Sequence, residues 1–171
     1  MSEHDLKVVS IRLVEEQTWY SKKVLTTPLE VVEMVCEKLS SYDRELFCVL
    51  NLSTKQQIIN MNIVSMGMLN AALVRPRETF KSAILSNAAG IMLIHNHTSS
   101  ICEPSKEDVQ VTNRLEKCGH LLGIEVIDHI ITGANHRFFS FREKGLLHSK
   151  ERDDLVAQAQ GHFYRSDALI Q

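Results

Sequence analysis

Residues 88–94 (AAGIMLI) form a short, nearly uninterrupted apolar run between polar stretches. Such a run predicts a central strand buried on both faces. Residues 45–52 (ELFCVLNL) are also mostly apolar, and residues 57–65 (QIINMNIVS) alternate, which predicts a hairpin of two strands. Residues 125–132 (EVIDHIIT) read as a further strand, 133–135 as a turn and 137–141 as a last short strand. Residues 7–14 (KVVSIRLV) are β-rich and predict a first strand, while 71–74 is a connector or short strand. Helical spacing appears three times. Apolar positions 31, 32, 35 and 39 follow Pro28, with Thr27 as N-cap and the proline at the first helical position. Pro76 opens a helix through Leu85. Residues 105–123 carry Val109, Val111, Leu115, Leu121 and Leu122 on one side, with Gly119 and Gly123 at the end. Residues 143–171 are polar and read as an appended helix or loose tail. Together these elements predict an α/β or α+β fold with a mixed sheet and two or three principal helices.

Composition narrows the classes. The chain has 171 residues, 44% hydrophobic and 23% charged, so a single domain with a normal core is expected. A formal net charge of −2 leaves no electrostatic footprint for generic nucleic-acid or anionic-membrane binding. No apolar run approaches the roughly 18 residues of a membrane span, and MSEHDLKVV lacks the pattern of a secretory leader. A cytoplasmic protein with no membrane partner is expected. Cys36, Cys48, Cys102 and Cys118 form no C-x-x-C, and all four are expected to be reduced thiols.

The chemistry gathers in IMLIHNHTSSICEPSKED. His95 and His97 are two apart at the end of a strand, so both imidazoles project from one face. Asp108 lies one turn into the next helix, where it can return a carboxylate to the same point. Two histidines and an aspartate leave a coordination position open, as a catalytic zinc requires. Ser105-x-x-Asp108 is equally a capping box, and capping alone accounts for both residues, though not for the paired histidines. Other histidine motifs fail. The H-x-H-x-D-H hydrolases need an acid and a histidine where Ser99 and Ser100 stand. The barrel hydrolases that open with H-x-H need about 250 residues. H-E-x-x-H and the deaminase H-x-E with P-C-x-x-C are absent.

The spacing His95-x-His97-x7-Ser105-x2-Asp108 resembles the JAMM motif of MPN/JAB metallopeptidases. RPRETFKSAILSNAA, HNH, PS-x-E-D and IEVIDHIITG resemble the RadC branch of that superfamily, over residues 29–147. The resemblance implies the MPN/JAB (cytidine-deaminase-like) fold, a mixed sheet flanked by helices. It divides the chain into a lead-in (1–27), the RadC-like domain (28–147) and a tail (148–171). It is to the shorter, stand-alone RadC-like proteins without a helix-hairpin-helix region. Thr98 and Ser100 depart from the family's H-N-H-P-S-G, and Cys102 is an unusual occupant of the loop.

The resemblance further implies Zn2+ held by His95, His97 and Asp108, and hydrolysis of a peptide or isopeptide bond by an activated water. It calls for an upstream glutamate as general base. Glu45 opens a strand and, if that strand runs antiparallel to residues 88–94, stands beside the histidines. Glu78 opens a helix, where dipole and capping already explain it. Glu45 is therefore assigned the proton transfer and Ser105 the oxyanion. Asp128 and His129 are expected either to support the ligands or simply to interrupt a half-buried strand. Cys102 is read as a partly exposed thiol, with a zinc–thiolate bond at the open position as the alternative. The expected partner is an unidentified peptide or protein substrate, with a homodimer implied by the resemblance. Competing readings are a non-catalytic MPN-type scaffold and a DNA-binding module using Arg75, Arg77 and Lys81.

Overall fold

The computed structural model describes residues 10, 12–15, 28–39, 42–67, 74–99, 101–133 and 137–147. Within them the order is α1 (Pro28–Leu39), β1 (Leu46–Leu52), β2 (Ile58–Met66), α2 (Pro76–Leu85), β3 (Gly90–Asn96), α3 (Lys106–Leu122), β4 (Glu125–Thr132) and β5 (Phe138–Ser140). The strands form one mixed sheet in the order β2-β1-β3-β4-β5. β1 pairs antiparallel with both β2 and β3, β3 pairs parallel with β4, and β4 pairs antiparallel with β5. The parallel pair requires a crossover, and α3 supplies it.

Strand alternation sorts the core into two layers. Leu46, Cys48, Leu50 and Leu52 of β1, with Met92 and Ile94 of β3, pack against Val32, Val35, Cys36 and Leu39 of α1. Phe47, Val49, Ile91 and Leu93 face the other way, onto Phe80 and Ala83 of α2 and Val111 and Leu115 of α3. The sheet is therefore covered on both faces, which is why β1 and β3 are buried along their whole length. His95 continues the odd-numbered series of β3, so it lies on the α3 side.

β4 breaks the alternation once. Ile91 pairs with Val126 but Met92 pairs with Asp128, so Ile127 is an extra residue in the ladder. Such a bulge shifts every later side chain to the opposite face. His129 consequently stands opposite Leu93 on the α3 side.

α3 ends in a Schellman turn: Ile124 N–H reaches Gly119 O at 2.9 Å, Gly123 N–H reaches His120 O at 3.2 Å, and Gly123 sits at φ 69°. A Cβ on Gly119 would lie 2.5 Å from Ile124 O and 3.2 Å from Phe80 Cζ. Gly119→Ala, ordinarily favourable inside a helix, is expected here to cost about 1–3 kcal/mol through overpacking. Urea unfolding measures it, and an unchanged midpoint would contradict the close approach.

The expected elements recur with shifted ends. β3 starts two residues later than the apolar run and continues through His95 and Asn96, because its parallel pairing with β4 extends to Asn96↔Thr132. β5 is shorter than residues 137–141. The expected first strand, 7–14, is mostly outside the described residues; residues 12–14 lie in no strand, and Val14 is 82% exposed. Thr27, residues 71–73, most of the 133–135 turn and the tail from 148 also lie outside the described residues. None of the described helices is long and apolar enough to cross a membrane.

Candidate metal centre

The centre lies where β3 ends and α3 begins. His95 is the penultimate residue of β3, paired with Phe47 on one side and Ile131 on the other. His97 follows the strand, its backbone N–H held by Thr132 O at 2.9 Å. With period two intact, the rings meet: the Nε2 atoms are 3.0 Å apart. Asp108, third residue of α3, completes the group with Oδ1 at 3.3 Å from His95 Nε2 and Oδ2 at 3.4 Å from His97 Nε2.

These separations are near those of a zinc donor set, the two Asp108 distances being to different oxygens. Donors about 2.0–2.1 Å from a tetrahedral zinc stand about 3.3–3.4 Å from one another. Among the described residues, His95, His97 and Asp108 are the group whose donor atoms could hold a metal ion.

Ser105 and Asp108 also form the expected capping box. Asp108 N–H donates to Ser105 Oγ at 3.1 Å, and Ser105 N–H donates to Asp108 Oδ2 at 2.8 Å. The Ser105 hydroxyl donates to the same Oδ2 at 2.6 Å. Capping and ligation are thus not alternatives for this aspartate. Oδ2 takes both Ser105 bonds, while Oδ1 is the oxygen turned to His95.

Charge states follow from the surroundings. Burial lowers the His95 pKa to about 4, against the pull of Asp108 and with a further push from His97. Its ring is therefore neutral at neutral pH, as a ligand must be. His97 is raised, chiefly because Asp108 accepts from its Nε2 when the ring is protonated; partial burial opposes, and Ile101 O and the charges of Asp108 and Glu45 add to the rise. Burial pushes Asp108 up, yet its bonds from His97 and Ser105 and the nearby His95 together hold it well below the usual carboxylate range.

Glu45 stands immediately before β1, two residues ahead of Phe47, the antiparallel partner of His95. Asn96 fastens this corner, its side chain taking Leu46 N–H at 2.8 Å and donating to Arg44 O at 3.0 Å. Glu45 is thus brought to the histidines, and its charge bears on His97. Glu78 instead pairs with Arg77 and Lys81 at the exposed start of α2. That single carboxylate thus engages two of the three basic residues in the expected DNA-binding cluster.

Asp128 and His129 have separate roles. Asp128 faces away, accepting from Ser140 Oγ at 2.6 Å and from Arg142 N–H at 2.9 Å, and so ties β4 to the turn after β5. His129 approaches His95, its Nε2 2.8 Å from His95 Nδ1. Thr112, which the sequence analysis does not single out, joins it from α3. Cys102 is not in the donor group. The expectation of a partly exposed thiol fits its intermediate burial, and the thiolate-ligand alternative finds no support. All four cysteines are free.

The sequence has relatives among known proteins. The model of the RadC-like JAB domain matches residues 25–146. A UPF0758 protein of Desulfitobacterium hafniense is 45% identical over 126 residues, covering 74% of this chain and 55% of that protein. UPF0758 proteins of Methanosarcina mazei and Geobacillus thermodenitrificans are each 40% identical, over 126 and 136 residues. The chain covers 80% of its own length and 60% of the relative's in the last case. It thus spans little more than half the length of these relatives.

Proposed function

The chain belongs to the RadC-like JAB domain family, and from that premise we propose that it is a zinc-dependent hydrolase of peptide or isopeptide bonds. The observation that carries the reading is the convergence of His95 Nε2 and His97 Nε2, 3.0 Å apart, on the Asp108 carboxylate, whose Oδ1 lies 3.3 Å from the first and Oδ2 3.4 Å from the second. Two neutral-nitrogen donors and one carboxylate are a donor set suited to zinc with an open position. When bound there, zinc supplies Lewis acidity that activates water and polarises a carbonyl.

The chain's own residues do the rest. His97 donates its Nδ1–H to Ile101 O at 2.7 Å, which leaves Nε2 bare and turned to the donor group. Asp108 is held charged and oriented by Ser105. Glu45 takes a proton from the attacking water and returns it to the leaving amine. In this reading the Ser105 hydroxyl turns from Asp108 Oδ2 to the developing oxyanion. The substrate is a peptide or protein, held against the open side of the group.

Purified protein is expected to bind about one zinc per chain, and His95→Ala to lower the metal content sharply. Glu45→Gln is expected to retain the metal and lose hydrolysis of a peptide and isopeptide panel by about 10²–10⁴-fold, while Glu78→Gln keeps both. Metal content unchanged in His95→Ala would overturn the site. A protein that binds no metal at all would favour the scaffold reading instead.

A further inference from the structure

A second buried histidine stands behind the metal ligands, and the reaction as proposed does not use it. His129 Nε2 lies 2.8 Å from His95 Nδ1, and His129 Nδ1 lies 2.6 Å from Thr112 Oγ1. Thr112 Oγ1 is in turn 2.7 Å from the backbone oxygen of Asp108. We propose that Thr112 and His129 are positioning residues that set the tautomer of His95, and thereby whether its Nε2 offers a lone pair to a metal ion. The proposal rests on the metal-site reading above.

The argument is a count of protons. A carbonyl only accepts, a neutral imidazole carries one N–H, and a hydroxyl has one proton to give. When Thr112 donates to Asp108 O, its usual partner four residues back in a helix, its oxygen must accept from His129 Nδ1–H. His129 Nε2 then has a lone pair and accepts from His95 Nδ1–H. His95 Nε2 is left bare and turned to Asp108 and His97. In the opposite arrangement Thr112 donates to His129 Nδ1, and His129 Nε2–H donates to His95 Nδ1. The His95 proton then sits on Nε2, where it is taken up by His97 Nε2 at 3.0 Å. Both arrangements carry one proton on each of the two rings and one on the hydroxyl, so passing between them needs no net uptake or release.

Three features make the relay tight. Thr112, His95 and His129 have no exposed surface, so water does not compete for their protons. Aromatic rings close the sides: Phe47 stacks on His95 with centroids 5.9 Å apart, and Phe141 on His129 at 4.8 Å. The β4 bulge places His129 on this face at all. Both ends of the chain return to Asp108, whose backbone oxygen receives the hydroxyl while its Oδ1 faces the His95 nitrogen being freed. Partners behind a metal-bound histidine generally fix its orientation and tautomer in this way.

The test uses ring nitrogen–proton NMR correlations, which report the His95 tautomer, and zinc affinity by competition with a chromogenic chelator. Metal-free protein is expected to carry the His95 proton on Nε2, and zinc-loaded protein on Nδ1. Thr112→Val is expected to change the tautomer balance of metal-free His95 and to weaken zinc binding about 10–100-fold. Thr112→Ser, which keeps the hydroxyl, is expected to restore both. Should Thr112→Val fail to fold by circular dichroism, His129→Gln is read the same way, since it severs the link from His95 to Thr112. A folded variant with wild-type tautomers would overturn the relay. Because the metal-free spectrum needs no zinc, the relay and the metal-site reading can fail separately.

Discussion

Asp108→Ala is expected to abolish zinc binding and, separately, to lower the unfolding free energy of the metal-free protein by about 1–2 kcal/mol. The first loss follows from removing a ligand oxygen, and the second from removing the capping box at the start of α3. Ser105 would lose the acceptor of both its N–H and its hydroxyl. Asp108→Asn should divide the two effects. Its amide oxygen still accepts from Ser105, so most of the cap survives, while the missing charge lowers zinc affinity on the order of 100-fold or more. Metal analysis and urea unfolding of the two variants read this directly. Equal stability losses in both would mean that the cap needs the negative charge as well as the oxygen.

The capping-or-ligand ambiguity at Asp108 could not be settled from sequence, because spacing names a residue and not one of its two oxygens. Other parts were legible. The H-x-H pair was readable because strand side chains repeat every two residues, and β3 keeps that period through His95. The antiparallel pairing of two apolar runs, on which the choice of Glu45 rested, was also legible, and β1 does pair so with β3, Phe47 opposite His95. The relay was hidden for a specific reason. Counting by twos along EVIDHIIT from Val126 puts Asp128, not His129, on the face of the donor group; the bulge at Ile127 reverses this. Nothing in the local pattern announces that bulge. Thr112 was equally silent, since its hydroxyl bond to Asp108 O is what any threonine in a helix can make.

The metal-free protein should be unusually sensitive to mild acid. Burial lowers the pKa of His95 to about 4, and burial with the neighbouring His95 places His129 well below its ordinary value. Between pH 6.5 and about 4 an unfolded chain carries a proton on His95 that the native state does not, and His129 works in the same direction, so the unfolded state binds more protons. The contribution of these two rings is then full above about pH 6.5 and falls as the pH drops through this window. Asp108 works in a lower range, because its depressed pKa protects stability until the pH falls below the usual carboxylate value. His97 acts above the window, its raised pKa adding stability that fades as pH rises. The His95 ring alone should cost about 2 kcal/mol between pH 7.5 and 5, and His129 adds to the loss in the same direction. Urea unfolding at a series of pH values measures this, and His129→Phe should flatten the slope. A flat profile in the parent protein would show that the rings accept protons without unfolding.

All three donors fall between residues 95 and 108, whereas the sheet around them is assembled from strands spanning residues 46 to 140. This difference has a kinetic meaning. Closing a loop of that length is quick, on the order of 10–100 ns for about ten residues, and its entropic cost grows only with the logarithm of length. The pairing of β3 with β4 must instead wait for the whole of α3 to cross between them, the kind of contact that slows folding. The donor cluster is therefore expected to come together early in folding. Refolding in the presence of zinc should accelerate at the β3–α3 junction first, before β1 and β4 have found their places beside it.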